Sequence, residues 1–431
     1  MADPFPLDRH PRTRAVGDAS VHRVQRRAKP AAPGPLKGKA AMFDQRLDPS
    51  FYDRVQERVV ERIAAAGFDA FLTDHPEDIA YLTGFFHHPS ERPVAIWLGA
   101  DGRITMLLPE LEREYAQSQS ARAELLAFAE YPGVVPPFVT LAAGVRRAGR
   151  VGFATTMPYQ RLAAARAAMP ETDFVPSEVI TQARYVKFPE EMVLHREAAR
   201  ITDRMLDSGV QLVAEAVAAG GDLPTEAELE RHVTVTGTRL MYTHHRNIVI
   251  SSLLAGGLVY SGPNSAFPHG LPSVNRLRPG DTFMLSLGCA VGGRFVEGER
   301  TFVLGEPSAQ QRRFHDTIRH AQQVGRETIR AGRECREANR LCLDVIREAG
   351  LEELIRHRQG HGIGLGMHEP PWLEDGDPTL LEAGMVVSNE PGIYVPGHAG
   401  YRISDSMLVT ETGAESLTTY PRSLDDCTIA L

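Results

Sequence analysis

The sequence predicts an α/β (α+β) protein, with an N-terminal α/β domain followed by a C-terminal domain that mixes long helices with strands. Three observations predict it. At 431 residues the chain is longer than one hydrophobic core usually serves, so two domains are expected. From about residue 46 to 186, amphipathic helical stretches alternate with short apolar runs of strand length. From residue 187 onward, two amphipathic helices lead into a succession of strand-like runs. The organisation read from this is a flexible basic tail over 1–45, a first domain over 46–186 and a second, site-bearing domain over 187–431.

Along the chain, "FYDRVQERVVERIAAAGFDAFLTDHPEDIAYLTGF" reads as an amphipathic helix stopped at Gly67, the short strand "AFLT", a turn and a second helix. "PVAIWLGADGRITMLLP" is two apolar runs around "GADGR", a hairpin signal. "RVGFATT" and "TDFVPSE" continue the alternation. At "ARYVKFPEE", Pro189 takes a first helical position, with Glu190 and Glu191 at the positive end of the helix dipole. Leu194, Ala198, Ile201 and Met205 form a core-facing stripe, and a second helix starts near "PTEAELERHV". Strands are expected at "NIVISSLL", "DTFMLSLGCAV", "RFVEGERTFVL", "MVVSNEPGIYV" and "YRISDSMLVTET", with two helices between about 308 and 350.

Hydrophobic content of 42% with 24% charged residues is ordinary for a globular protein. No apolar run approaches the roughly 20 residues that span a bilayer, and no secretory signal is recognisable, so no membrane association is expected. Cys289, Cys335, Cys342 and Cys427 make no CxxC pair and read as reduced thiols of a cytoplasmic protein. Net charge is −8, yet residues 1–40 carry +6. That Pro-, Ala- and Gly-rich segment reads as a solvated tail, and the acidic remainder argues against nucleic acid as a partner.

Four stretches carry candidate chemistry: the loop "SGPNSAFPHGLPSVNRLRPGD" with His269; the strand pair 281–305 with Ser286, Glu297 and Glu299; "GHGIGLGMHEPPWL" with His361 and His368; and "SNEPGIY" with "GYRISDS", giving Glu390 and Ser404. Side chains alternate along a strand, so Glu297 and Glu299 share a face while Arg300 points the other way. The glycine-rich "GHGIGLG" lacks the ending of a phosphate loop.

Taken together, "PNSAFPHGLPSVNRLRPGD", "GERTFVLGEPS", "GHGIGLGMHEPP", "GMVVSNEPGIYVPG" and "GYRISDSMLVTETGAE" resemble the creatinase/prolidase/methionine aminopeptidase superfamily. The resemblance implies a C-terminal pita-bread domain preceded by a creatinase/prolidase-type N-terminal domain. It also implies five metal-ligand positions, which fall on Ser286, Glu297, His361, Glu390 and Ser404. Two of these are serines, poor ligands for divalent ions, so a dinuclear centre is not expected. The creatinase branch works without metal, and its catalytic histidine and two substrate-binding glutamates match His269, Glu299 and Glu390. Metal-dependent prolidases usually carry threonine where Glu299 stands. Arg92, in "SERP", matches an arginine that creatinase supplies from a partner subunit, which implies a homodimer. Ser90, Trp372 and Glu297 depart from the creatinase pattern.

The function expected on this basis is metal-independent hydrolysis of a C–N bond in a small guanidino, amidino or ureido substrate, with no cofactor. His269 would act as general acid/base, with Glu299 and Glu390 orienting the substrate. His361 would complete the catalytic group; Glu297 and His368 would contact substrate, Arg92 would anchor its carboxylate, and Trp372 and Tyr394 would shape the pocket. Glu299→Gln would then abolish turnover with little effect on stability. The alternative is a mononuclear Mn, Fe or Zn enzyme with Glu297, His361 and Glu390 as ligands, acting as an Xaa-Pro aminopeptidase or dipeptidase. A second alternative is an inactive peptide-binding module.

Overall fold

The computed structural model describes residues 42–251 and 253–431. Most of the expected basic tail, residues 1–41, lies outside them. Within the expected tail, Phe43–Asp44 pair in parallel with His245–Arg246, and the buried amide of Gln45 reaches His245 Nδ1 at 2.9 Å.

The N-terminal half is a six-stranded sheet flanked by helices. Its order is Glu124–Phe128, Ile104–Pro109, Ala95–Gly99, Ala70–Thr73, Arg150–Ala154, Asp173–Ser177. Ala95–Gly99 runs antiparallel to both its neighbours and the remaining pairs are parallel. The hairpin read from "GADGR" is therefore present. Helix Pro49–Ala65 is capped by Asp48, which accepts from Ser50 N at 2.9 Å, and it buries Phe51, Val55, Val59 and Ile63. The sequence reading missed the strand Glu124–Phe128, whose residues are mostly half-buried and carry little alternation.

The C-terminal half is built on a nine-stranded sheet. Its main path is Glu369–Leu373, Gly360–Gly362, Val386–Asn389, Ser404–Val409, Arg294–Leu304, Thr282–Val291, Ala255–Ser261. Helix Pro189–Ala219 lies across the two long strands Thr282–Val291 and Arg294–Leu304. Leu194, Ala198, Ile201 and Met205 are buried as the stripe predicted. Gly298 makes the close approach possible: a β-carbon there would stand 3.2 Å from the methyl of Thr202 on that helix.

Two strand readings change. "NIVISSLL" is not a strand over its described residues; the edge strand is Ala255–Ser261, which begins immediately after it and pairs with the chemistry-bearing strand Thr282–Val291. Its glycines hid it, yet they are what it needs, since a β-carbon on Gly257 (φ +156°) would lie 2.0 Å from Ser286 O. The runs "MVVSNEPGIYV" and "YRISDSMLVTET" each split in two. Val386–Asn389 and Ser404–Val409 stay in the main sheet, while Gly392–Val395 and Ala399–Arg402 pair as a separate hairpin. Pro391, which has no N–H for a ladder, stands at the first break.

The two halves meet across packed apolar side chains and a buried charge network. Leu365 and Val249 join the N-terminal core around Phe85 and Phe86. Arg184 donates to Asp78 Oδ1 (2.8 Å), Glu77 Oε2 (3.1 Å) and Glu369, and Lys187 Nζ reaches Glu369 Oε1 at 3.2 Å. The network ties helix Pro76–Thr83 to the strand that follows His368. No helix of the described residues is long and apolar enough to cross a membrane.

On the sheet face opposite the two glutamates, Arg300 donates to Asp405 Oδ1 at 2.7 Å and to the carbonyls of Glu299 and Ser404, also at 2.7 Å. Asp405 accepts further from Gln322 (2.8 Å) and Thr418 (2.9 Å). This pair fixes the strand Arg294–Leu304 to its neighbour Ser404–Val409. Arg300→Met leaves the buried Asp405 with only the more distant guanidinium of Arg326, 3.4 Å away, and is expected to lower the unfolding free energy by about 3 kcal/mol. Urea unfolding measures this; a loss below about 1 kcal/mol would match an exposed pair and contradict the role given to it.

Candidate active site

Sheet register assembles the site. Ser286 stands directly opposite Glu299 on one neighbouring strand, and Ser404 opposite Glu299 on the other. Glu297, two residues before Glu299, therefore shares that face with both serines. The same register continues outward: Ser388 pairs with Ser406, and Gly362 pairs with Val387, which turns His361 and Glu390 toward the same face. Residues distant in the chain, 286 to 404, thus meet on one surface.

The two neighbouring carboxylates have separate partners. Glu299 is chelated by Arg402, whose Nε and Nη2 reach its two oxygens, the latter at 2.8 Å. Ser286 Oγ also donates to Glu299 Oε1. Arg402 in turn donates to Tyr260 OH (2.9 Å), Tyr394 OH (3.0 Å) and Ser286 Oγ (3.1 Å). Tyr394 OH lies 2.8 Å from His357 Nε2. The expectation that Glu299 faces a cationic substrate is corrected here: its counter-charge is internal.

Glu297 and Glu390 instead flank His361. Its Nε2 lies 3.1 Å from Glu390 Oε1 and 3.8 Å from Glu297 Oε2, yet makes no well-directed hydrogen bond to either. Burial and the nearby Glu390 charge push the Glu297 carboxyl up to about 8. Burial works against a charged His361, but Glu297 and Glu390 outweigh it and its imidazole is pushed up to about 9. Burial likewise opposes the charge of Glu390, and the close contact with His361 more than offsets it, holding its carboxyl well below the usual range. His368 packs edge-on against His361, with centroids 4.2 Å apart. Burial, then the His361 charge, pushes its imidazole down to about 4.

The donor set fits a metal ion. Glu297, His361 and His368 each offer one ligand atom, all within 4.8 Å of one another, and Glu390 adds a second carboxylate beside His361. Imidazole and carboxylate together suit Zn, Fe or Mn. The orphaned, buried His361 Nε2 is the atom such an ion would satisfy. Ser404 Oγ, 2.9 Å from Glu297 Oε1, orients that carboxylate from behind.

The remaining expected residues are spread around this cluster. His269 sits exposed on its loop. The loop is pinned by the buried carboxylate of Glu226, which accepts from Ser261 N (2.7 Å), Asn264 Nδ2 (2.8 Å) and Ser273 N (2.9 Å). Trp372 is half-buried beneath the guanidinium of Arg358, 4.2 Å from its ring centroid. With His368 it lines a cleft of about 470 Å³ whose opposite wall is formed by Glu77, Thr155 and Glu178 of the N-terminal half. Tyr394 is buried against Arg402 rather than open to that cleft. Arg92 is largely exposed and bonds Glu130 (2.6 Å) and Glu91 (2.7 Å), not the cluster of its own chain. Sequence reasoning missed Arg402, His357 and Tyr260. Arg402 was within reach, since it lies two residues before Ser404.

Comparison with known proteins fits this geometry. The model of Metallopeptidase family M24 matches residues 193–411, and that of the Creatinase/Prolidase N-terminal domain matches residues 56–186. A probable dipeptidase PepE of Mycobacterium bovis is 32% identical over 387 residues, covering 89% of this chain and 98% of that protein. Among solved structures, dipeptidase PepE from Mycobacterium ulcerans superposes with a TM-score of 0.78 at 27% identity, covering 90% of this chain and 100% of that one. The Xaa-Pro dipeptidase from Bacillus anthracis gives 0.74 at 28% identity, covering 86% and 99%.

These findings overturn two expectations. A metal-independent hydrolase of guanidino, amidino or ureido substrates does not fit relatives that are dipeptidases within a metallopeptidase family. The absence of a cofactor is likewise contradicted by that family and by the ligand cluster at Glu297, His361 and His368. The physical error was to prefer the metal-free reading over the mononuclear alternative on the strength of two lost ligand positions, when Glu297, His361, Glu390 and His368 still converge. The pita-bread fold and the creatinase/prolidase architecture stand as expected. The chain belongs to metallopeptidase family M24 and is a hydrolase of C–N bonds.

Proposed function

We propose that the protein is a metal-dependent peptidase acting on small peptides, of the Xaa-Pro dipeptidase or aminopeptidase type. The observation that carries this is the convergence of Glu297, His361 and Glu390, with His361 Nε2 buried and without a directed hydrogen bond. The named activities of the similar dipeptidases support the substrate class. The cleft of about 470 Å³ beside His368 and Trp372 is in the range of small-molecule sites.

Glu297, His361 and Glu390 would hold a Mn, Fe or Zn ion, with His368 on the exposed side. When bound, the ion supplies Lewis-acid polarisation of the scissile carbonyl and lowers the pKa of water. The chain's own residues do the rest. Ser404 and Ser388, the latter 3.3 Å from Glu390 Oε1, fix the carboxylates. His368, neutral at physiological pH, offers a hydrogen bond to substrate at the cleft. His269, on its clamped loop, is the exposed imidazole beside the cluster and hands a proton to the leaving nitrogen. Trp372 forms the cleft wall, and Tyr394 holds Arg402 and His357 in place. Arg92, exposed and outside its own cluster, is available to the site of a second copy in a homodimer. The four buried, unpaired cysteines accord with a cytoplasmic setting.

Protein purified without chelator is expected to hydrolyse Xaa-Pro dipeptides, to lose that activity in EDTA and to regain it with Mn²⁺. Full activity after exhaustive chelation would reject the reading. The metal-free site holds protons on Glu297 and His361, and a ligand must shed its proton to bind. Mn²⁺ affinity, followed by calorimetry, is therefore expected to rise from neutral pH to about 9 and then level off. A pH-independent affinity would contradict this.

Glu299→Gln would leave the buried Arg402 guanidinium without its carboxylate, at a cost of about 3–5 kcal/mol. A large drop in thermal midpoint is expected, in place of the near-silent effect read from sequence. An unchanged midpoint would contradict the chelate.

A further inference from the structure

We infer that this site is built for one metal ion rather than two, the guanidinium of Arg402 standing where a second cation would sit. The inference rests on the reading that Glu297, His361 and Glu390 hold a metal. A second ion beside Glu299 would need anionic donors at the positions flanking it across the sheet, and those positions are Ser286 and Ser404. Both are neutral hydroxyls, and both are already engaged, Ser286 with Glu299 and Ser404 with Glu297. Glu299 Oε1 accepts from Arg402 Nη2 at 2.8 Å, and Oε2 is in ion-pair contact with Nε without a directed hydrogen bond, so the charge of the carboxylate is already met by Arg402. Nη1 donates to Tyr394, and Nη2, which bonds Glu299, also lies within reach of the hydroxyls of Tyr260 and Ser286, so both ends of the guanidinium are held. It is buried and permanently charged.

Charge balance gives the same count. Glu297, Glu299 and Glu390 bring three negative charges to the face, and Arg402 neutralises one. One divalent ion, with His361 neutral as a ligand, balances the remaining two. A second divalent ion would leave a buried excess of positive charge with no carboxylate to meet it, which is strongly unfavourable. The arrangement keeps a fixed cation next to the metal without requiring a second ion to be captured.

The test is to load the purified full-length chain with excess Mn²⁺, remove unbound ion, and measure manganese per chain together with its EPR spectrum. One ion per chain with the spectrum of an isolated Mn²⁺ is expected. Two ions per chain with a spin-coupled signal, as for centres about 3.5–4 Å apart, would overturn the inference while leaving the peptidase reading intact. No bound ion would overturn the metal reading itself, and the inference with it. The triple variant Ser286→Asp, Glu299→Thr, Ser404→Glu removes the chelate and supplies two carboxylates on the same face. If its circular dichroism shows it folded, it is expected to take up a second Mn²⁺; a folded variant that still binds one would overturn the assignment to these residues. The wild-type count decides the main claim whether or not the variant folds.

Discussion

Alternation along the strand Arg294–Leu304 sorts charged side chains onto two buried faces, and each face must find its own counter-charge. Glu297 and Glu299 go to one side and Arg300 to the other. Because the whole strand is buried, none of the three can rely on water. Arg300 is met by Asp405, Glu299 by Arg402, and Glu297 by whatever His361 and Glu390 hold between them. Adjacent like charges are tolerable here because each has a separate partner.

The two partnerships differ in kind. The Arg402–Glu299 pair has opposite charges matched within the chain, with hydroxyls from Tyr260, Tyr394 and Ser286 accepting from the guanidinium, and such a unit is fixed rather than reactive. The His361 cluster is unfinished: two carboxyl groups and an imidazole converge with no directed hydrogen bond among them. A finished pair beside an unfinished one, two residues apart on one strand, separates structural charge from functional charge. The same contrast explains why the site is open on one side only. The helix Pro189–Ala219 closes the far face, while the N-terminal half leaves a cleft at His368 and Trp372.

Much of this was legible in the sequence because it is carried by short-range periodicity. The shared face of Glu297 and Glu299, the core stripe on the helix that starts at Pro189, and the hairpin around "GADGR" all follow from local spacing. The membership of His361, Glu390 and Ser404 in one site came instead from the resemblance of the spaced motifs to the creatinase/prolidase superfamily. What escaped depends on pairing between distant strands. Arg402 stands two residues before Ser404, which hints at the site, but its contact with Glu299, 103 residues earlier, comes from a hairpin that splits from the main sheet and is set by long-range pairing. The strand Ala255–Ser261 was hidden by the glycines that let it approach Ser286. The misreading of function had a different origin: the two lost ligand positions were weighed above the three that remain, Glu297, His361 and Glu390, and the assembled face adds His368 beside them.

Diffraction from crystals grown with Mn²⁺, recorded at the manganese absorption edge, tests the central claim most directly. The account predicts a single anomalous peak per chain, among Glu297, His361 and Glu390, with Arg402 still bound to Glu299. A peak lying between Ser286 and Ser404, with Arg402 swung away, or no peak at all, would contradict it.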